Sequence, residues 1–274
     1  MDRNFMKQVP AKKVSNFRLY FKILSLQLRS TMEYRSSFVM SAISQFLASF
    51  SVFTGMMFMF MRFNSVDGFT FEEVLICFSS INTSFALAEC FFRGLDQFPS
   101  IISNGQFDRI LVRPRGEIFQ VITSKFEFSR TGRLLQAIII FCWSLPRCGI
   151  SFTFDKILCL SLMVICGACI FGGIFTIYAF ICFFTTEGLE FMNILTDGMR
   201  EYGKYPLGIY GKKILFILTF IFPFALVQYY PFLYLTGRCD STFYILLPLI
   251  SLVFLVPCGI LWRIGVRHYR STGS

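Results

Sequence analysis

Two cysteines three residues apart are the first candidates for chemistry in this sequence. Cys166 and Cys169 have the CxxC spacing of redox and zinc sites, but they lie in the apolar stretch CGACIFGG without further metal ligands beside them. In the same stretch Ala168 and Gly172 form a small-xxx-small pair, which is typical of closely packed membrane helices. Both interpretations remain open, and we predict no metal site.

The rest of the sequence offers little catalytic chemistry. The one histidine, His268, lies in a polar tail without a paired nucleophile, and neither a G-x-S-x-G nor an H-E-x-x-H motif occurs. A G-x-x-x-x-G-K-[ST] motif is also missing, so the chain does not bind ATP through a P-loop. We therefore predict no catalytic residues and no cofactor, and any nucleotide energy has to come from a partner.

One carboxylate, Glu89, lies inside a long apolar run. Acidic residues in such runs indicate either a functional site, such as a proton relay, or a structural ion pair. Arg93 follows one helical turn later and can pair with Glu89. Because Glu89 is near the end of its run, its position favours a structural ion pair with Arg93.

A compact polar segment, 95–114, contains the sequence NGQFDRILVRP at 104–114. Its apolar residues form two clusters, separated by a glycine that can end a short helix and followed by a proline that stops the run. Exposed aromatic side chains among charges are typical of a surface that docks a soluble protein; the alternative is a loop that folds back on lipid headgroups. The candidate docking residues are Phe98, Ile101, Ile102, Gly105, Phe107, Asp108, Leu111 and Pro114.

The composition of the chain indicates the environment in which these residues lie. The chain has 274 residues, 55% hydrophobic and 18% aromatic, with a mean hydropathy of +0.62. This is more apolar surface than one or two soluble cores can bury, so we predict a membrane protein. A hydrocarbon core needs roughly 20 apolar residues per helix. The sequence has six candidate runs, at 37–61, 74–92, 134–145, 157–184, 214–235 and 243–262.

The third run is short, and we expect the preceding residues 126–136 to extend it, with Arg130 and Arg133 reaching to the headgroups. Cationic residues accumulate on the cytoplasmic side of membranes. With both ends placed inside, 22 of the 26 Lys and Arg residues lie on the inner side and 4 on the outer side. We therefore predict cytoplasmic termini and contacts with anionic lipids, and the net charge of +10 requires no nucleic acid.

The predicted topology divides the chain into a cytoplasmic N-terminus (1–36), a six-helix domain (37–262) and a basic cytoplasmic tail (263–274). The first apolar run is expected to anchor the chain and not to be cleaved as a signal. The outer loops are short. Two of them contain Cys148 and Cys239, and the sequence leaves open whether these residues form a disulfide.

Two further stretches have amphipathic periodicity. Residues 17–35 place Phe17 and Phe21 opposite Arg18 and Lys22, which predicts a helix in the membrane interface or a simple topology anchor. Residues 187–206 continue the fourth run as a helix in an inner loop. This helix is either a second contact, to a docked protein or to the first interfacial helix, or a solvated surface. Its acidic residues are Glu187, Glu190, Asp197 and Glu201.

The fifth run contains two prolines, Pro223 and Pro231, with the pair Tyr229 and Tyr230 between them. A missing amide donor permits kinks in a membrane helix. We expect this stretch to shape an outer gate; the alternative is a static kink.

Two blocks, SNGQFDRILVRP and KYPLGIYGKKILFILTFIFPFALVQYYPFLYLTGR, together resemble the membrane subunit of bacterial ABC transporters of the type-2 exporter permease superfamily. The likeness covers nearly the whole chain, from the helix at Phe17 to the basic tail. It implies an all-α membrane protein of the bacterial inner membrane, with an interfacial helix, six spans and a coupling loop at 93–116 that docks on a separate soluble ATPase.

The resemblance also implies export by two permease subunits and two ATPase subunits, the second permease being another copy or a paralogue. The alternative function is a secondary carrier or channel, which is expected to have buried charges on a pathway or an internal repeat. Neither is visible in the sequence. The substrate and the organism are not predicted.

Overall fold

The computed structural model describes residues 15–150, 153–185 and 190–271, with only the backbone described for 190–195. Throughout these residues the chain is helical and has no strand, apart from one isolated bridge between Val66 and Phe69. The prediction of an all-helical class is therefore confirmed. The α-helices, in chain order, are α1 Asn16–Glu33, α2 Arg35–Arg62, α3 Phe71–Asp96, α4 Phe98–Ser103, α5 Gln106–Leu111, α6 Glu117–Ile122, α7 Thr131–Arg147, α8 Phe154–Cys182, α9 Glu190–Gly203, α10 Lys212–Phe220, α11 Tyr230–Leu235, α12 Leu247–Ser251 and α13 Leu255–His268.

Among the described residues, four stretches are long and apolar enough to cross a membrane: α2, Phe71–Ser103, α8 and Leu247–His268. A fifth forms if the bent pair of α10 and Ala225–Leu235 counts as one span. The predicted third run lies in α7, whose 17 residues fall short of the roughly 20 that a bilayer core requires. A multi-pass membrane protein is supported, whereas the count of six spans and the cytoplasmic position of both ends stay predictions.

Helix α3 is the centre of the fold. It begins with a capping box, in which Thr70 accepts from the Glu73 backbone and the Glu73 carboxylate accepts from the Thr70 N–H at 2.8 Å. Residues 74–82 are all buried, because α7 and α8 pack along the helix. Small residues bring the helix backbones together. A Cβ atom added to Gly167 of α8 would lie only 2.6 Å from Ser84 Oγ of α3, so only glycine fits there without a shift of its neighbours.

The two ends of the bundle are named by their connections to α3. The loop end is the end at Asp96, where residues 97–122 follow, and the hairpin end is the end at Phe71, where the connection 63–70 joins α2 to α3. From Cys77 to Asp96 the helix rises about 28 Å, most of the thickness of a bilayer core.

Helix α9 departs from the predicted topology. The stretch was expected to be an inner loop between spans, yet it packs against α3. Arg200 lies over the Phe85 ring at 5.0 Å, and Lys204 contributes to the same cavity wall as Phe78. Tyr205 donates to Met59 Sδ at 3.9 Å, near the hairpin end of α2. Buried contacts with α3 therefore stabilise this segment, which is not a free loop, and its position on the inner side stays a prediction.

Two interpretations were given for residues 187–206, a docking contact and a solvated surface. The structure describes only part of these residues. Glu187 lies outside the described residues, as do the side chains of 190–195. Within the described part, Asp197 is exposed and Thr196 is buried. The amphipathic helix itself is present as α9.

At the loop end, α4 and α5 fold back onto the bundle. The rings of Phe98 and Phe107 are fully buried and lie within 5.5 Å of each other and of the Phe183 ring. Phe98 also contacts Trp262 of α13, with ring centroids 5.2 Å apart. The expectation of exposed aromatic side chains here was wrong for Phe98 and Phe107, because α8 and α13 end beside the loop and cover both rings.

The predicted fifth span is broken rather than gently kinked. Helix α10 ends at Phe220, and the chain turns at 221–224 around Pro223. The angle between α10 and the next helical segment, Ala225–Leu235, is 96°. A π-helix, Ala225–Tyr229, then leads into α11. This wider turn directly precedes Pro231, whose ring would otherwise crowd the carbonyl four residues earlier. The break is therefore at Pro223, whereas Pro231 lies in the first turn of α11 and does not interrupt it.

Helix α1 has no buried residue, and Phe17 and Phe21 are 74% and 51% exposed. It is tied to the chain between α6 and α7 by Gln27, which donates to Thr123 O at 3.1 Å and accepts from the Phe126 N–H at 2.8 Å. The predicted helix is thus present at nearly the predicted bounds. Its position in a membrane interface stays a prediction.

Candidate functional site

A cavity of about 560 Å³ lies between α3, α8 and α9 and the start of α7, on the loop-end half of the bundle. We call it the charged cavity. Its wall contains four arginines and three carboxylates, together with aromatic rings from α3 and α8. The lining residues are Phe85, Glu89, Arg93, Asp96, Gln97, Arg130, Arg133, Phe175, Tyr178, Thr196, Asp197 and Arg200.

Glu89 is the acidic centre of this cavity. Its side chain is 5% exposed, and Arg133 Nη1 lies 2.6 Å from Glu89 Oε2. Arg130 Nε and Arg93 Nη1 lie 3.3 Å and 3.6 Å from Glu89 Oε1. The predicted partner, Arg93, is therefore present but lies closer to Asp96, at 2.5 Å. One buried carboxylate serves three guanidinium groups, an arrangement that is costly to desolvate and strongly destabilised by losing a member.

Arg130, which directly precedes α7, and Arg133, in the first turn of α7, point inward. Arg130 and Arg133 were expected to reach lipid headgroups, but their side chains are only 17% and 13% exposed. Gly132 lets α7 approach α2, since a Cβ there would lie 1.8 Å from Ala42 O. Arg133 also donates to Gln45 Oε1 of α2 at 2.9 Å. The headgroup prediction was wrong because Glu89 and Gln45 offer these cations partners inside the bundle.

Helix α9 supplies the opposite wall. Arg200 lies 3.3 Å from Asp197 and 3.1 Å from Glu201, and both carboxylates are more than half exposed. Phe85 faces two guanidinium groups, with Arg133 at 5.5 Å and Arg200 at 5.0 Å from its ring. Such cation–π contacts stabilise a charge without neutralising it. The positive charge on this wall is therefore only partly compensated.

A smaller cavity of about 100 Å³ continues toward the hairpin end and shares Arg133 and Arg200 with the charged cavity. It adds Lys204, which is 4% exposed and has its Nζ 2.5 Å from Glu201. Gln228, just after the break in the fifth span, donates to the Cys77 carbonyl at 3.3 Å and also to the Gly203 carbonyl. Polar groups thus extend from the loop end deep along α3.

Several buried donors in this region have no hydrogen-bond acceptor among the described residues. They are Arg93 Nε, Arg130 Nε and Arg200 Nε of the cavity wall and, in α7, Gln136 Nε2. Arg130 Nε is within ion-pair distance of Glu89 but lacks hydrogen-bond geometry. Buried donors in proteins are normally satisfied, so several in one place point to a site that takes an acceptor.

The other predicted site residues are elsewhere. In the coupling loop, Ile101 and Ile102 are buried, Gly105 has a positive φ of 62° between α4 and α5, and Leu111 is 38% exposed. Asp108 accepts from Ser271 at 2.7 Å. Pro114 is exposed, as is its neighbour Val112, the most exposed apolar residue of the loop at 83%.

The predicted gate residues lie around the break in the fifth span. Tyr230 contacts Tyr229 and Tyr244, each with ring centroids 5.6 Å apart, and its hydroxyl is 3.5 Å from Thr219 Oγ1. Pro223 lines a groove of about 600 Å³ between α10 and α12–α13. We call it the apolar groove, because Ser251 and Thr219 are its only residues with side-chain hydroxyl groups.

The cysteines are all free thiols, including Cys148 and Cys239, so no disulfide joins the two. Burial, followed by the charges of Glu73 and Glu72, raises the pKa of the Cys148 thiol to about 12. In the described part of the chain no group of three metal-ligating side chains occurs. Cys166 is buried beside Gly167, where α8 contacts α3, in accordance with the packing interpretation of this stretch.

Sequence reasoning found Glu89 but missed most of its surroundings. One signal was available. Glu89 is an acid in an apolar run and needs a cationic partner, and Arg130 and Arg133 lie just before a run that is too short to span a membrane alone. Arg200 and Lys204 gave no such signal, since their helix reads as an ordinary amphipathic loop. The sequence showed no buried charges beyond Glu89, whereas the structure buries several in the charged cavity.

Comparison with known proteins gives one finding. A family model described as ABC-2 family transporter protein matches residues 46–273, which is most of the chain and includes α3, the charged cavity and both predicted blocks. No curated protein and no solved structure matches. The resemblance inferred from the sequence is thereby confirmed, and the chain belongs to the ABC-2 family of transporter membrane proteins.

Proposed function

We propose that this chain is the membrane subunit of an ABC exporter in the bacterial inner membrane, powered by a separate soluble ATPase that docks on the coupling loop. The observation that carries the proposal is the family match over residues 46–273. Families of this kind combine a transport subunit with an ATPase, and this chain has no P-loop of its own. The proposed assembly has two permeases, this chain with a copy or a paralogue, and two ATPases.

The exposed residues of the coupling loop support docking there. After the buried Ile110, the sequence Leu111–Pro114 presents two apolar side chains, one arginine and a proline to the surroundings. Apolar groups with charges around them are typical of protein interfaces. The buried rings of Phe98 and Phe107 serve a different role from the one first expected: they hold the loop and do not contact the partner.

Those rings provide a mechanical connection. Phe98 and Phe107 are packed between Phe183 at the end of α8 and Trp262 of α13, and Gly94 of α3 lies against the Val121 carbonyl of α6. A displacement of the loop therefore moves three helices together, since a packed core transmits strain. ATP-driven closure can act on the membrane bundle if ATPase binding energy differs between its two states.

The broken fifth span is the proposed movable part. Its 96° break needs only small backbone rotations at 221–224 to change the angle between α10 and α11. The Tyr229 and Tyr230 rings lie directly after the break, so they would move with it. In this proposal the loop end faces the cytoplasm and the hairpin end faces outward.

The test is co-purification of the tagged full chain from its host in mild detergent. We expect a soluble P-loop ATPase at about one copy per permease, lost in the double variant Val112→Glu/Arg113→Glu. Phe63→Glu is the matched control, because Phe63 is 60% exposed at the hairpin end. Equal recovery of the ATPase with both variants would overturn docking at the coupling loop. Exposed residues are preferable to Phe107→Ala, which would also open a core cavity.

A second candidate function, a carrier without an ATPase, is favoured by one observation, the buried charges of the charged cavity. Reconstituted vesicles containing only this chain distinguish the two. Ion- or gradient-driven transport without ATPase and ATP would favour the carrier, whereas dependence on both would favour the exporter.

A further inference from the structure

We propose that the charged cavity binds the phosphate group of an amphipathic molecule. This inference names a class of cargo for the proposed exporter, and the assignment as cargo rests on the proposed function. The binding site itself is argued from the residues of α3, α7, α8 and α9 alone.

The charge balance of the wall favours an anion. Four arginines face Glu89, Asp96 and Asp197, and the adjoining small cavity adds Lys204 together with its partner Glu201, whose side chain is more than half exposed. Asp197 has a side chain 55% exposed, so water compensates part of its charge and the remainder reduces the positive potential of the wall. The buried carboxylates are thus outnumbered by buried cations, and an anionic ligand would restore the balance.

The arginine side chains that line the cavity give the ligand its chemistry. Arg93 Nε, Arg130 Nε and Arg200 Nε belong to three different segments, and none has an acceptor among the described residues. A phosphate monoester carries three terminal oxygens, enough to accept from donors on several sides. Guanidinium groups bind such oxygens with hydrogen bonds about twice as strong as those between neutral groups.

The neighbouring rings explain why the molecule would be amphipathic. Phe85, Phe175 and Tyr178 form an aromatic side of the same cavity. Its 560 Å³ is within the roughly 300–1,000 Å³ typical of small-molecule sites, so it has room for more than a bare phosphate ion. A phosphate headgroup bound by the arginines can therefore place attached apolar atoms against these rings.

The experiment measures binding to the purified full chain, with any subunit that accompanies it, in detergent and without ATP. Microscale thermophoresis compares three probes: dioctanoyl phosphatidic acid, dioctanoyl phosphatidylcholine and inorganic phosphate. We expect the phosphatidic acid to bind and the zwitterionic lipid to bind at least about tenfold more weakly, because its choline would enter a cationic site.

Arg200→Gln should weaken phosphatidic acid binding by about tenfold, the loss expected for one charged hydrogen bond. Arg109→Gln is the matched control, because Arg109 is an exposed arginine of α5 outside the charged cavity. Asp197→Asn should change affinity in the opposite direction, with binding strengthened several-fold. A folding defect cannot produce that gain, so this variant keeps the test valid if Arg200→Gln fails to fold.

Binding of inorganic phosphate with the same dependence on Arg200 and Asp197 would support the anion site and assign it to soluble phosphate compounds. Phosphatidic acid affinity that is unchanged in Asp197→Asn and Arg200→Gln would overturn the proposal. So would a failure of the wild-type chain to bind either anionic probe. Because no ATP is present, these outcomes do not depend on ATPase docking, and loss of co-purification would leave them unaffected.

Discussion

The charged cavity and the apolar groove are nearly equal in size, about 560 and 600 Å³, but opposite in chemistry. The first contains seven charged residues, held between packed helices, and the second contains none. The charged cavity is built on α3, the most buried helix, whereas the groove is built on α10, α12 and α13, whose apolar residues face outward. Packed helices thus shield the charges of the cavity, whereas the break in the fifth span lies beside an apolar groove.

Removal of the acidic centre should have the largest effect. Glu89→Gln leaves three buried guanidinium groups without their shared carboxylate, and we expect the free energy of unfolding to fall by about 3–5 kcal/mol. Thermal unfolding in detergent measures this change. Asp155→Asn, an exposed acid at the start of α8, is the control and should stay within about 0.5 kcal/mol of wild type. A similarly small change for Glu89→Gln would mean that the charges are well hydrated and that the two cavities are less different than described.

An arginine placed in the groove tests the other side of the comparison. If the groove faces lipid, Leu226→Arg should reduce membrane insertion by a cost of about 2.5–3.5 kcal/mol. A glycosylation-based insertion assay measures it, with Leu226→Met as the size-matched control. Normal insertion of the arginine variant would indicate a water-filled groove.

The smallest effect is expected outside both cavities, where Gly208 contacts Tyr229 of the π-helix. A Cβ on Gly208 would lie only 2.2 Å from the Tyr229 hydroxyl, so Gly208→Ala should cost about 1–3 kcal/mol by overpacking. Tyr229→Leu should restore most of that loss in the double variant. Additive losses in the double-mutant cycle would show that the chain after α9 and the π-helix are not in contact as described.

The sequence predicted the long helices because their apolar runs have the length that a bilayer requires, as α2 and α8 illustrate. It also identified Glu89, since one carboxylate in such a run needs a partner. It named Arg93 as that partner because only helical neighbours can be inferred from spacing. The closer contact with Arg133, 44 positions away, depends on how α3 and α7 pack.

The coupling loop shows the same limit. Its two apolar clusters around Phe98 and Phe107 were visible in the sequence, but what covers them was not, because Phe183 and Trp262 come from distant parts of the chain. For α9 the pattern was misleading in a different way. The acidic partners of Arg200 and Lys204, Asp197 and Glu201, are helical neighbours that spacing already indicates. The contact of Arg200 with the Phe85 ring of α3 depends on how the two helices pack, and the sequence does not show it.

The position of α9 has a consequence for biogenesis. A translocon sorts segments by hydrophobicity as they emerge, and 196–205 contains Asp197, Arg200, Glu201 and Lys204, so it would not be partitioned into lipid on its own. It can take its place along α3 only after α3, α7 and α8 have already associated and Phe85 is available to it. We therefore expect the segment that completes the charged cavity to take its place after α3, α7 and α8 have been inserted and have associated.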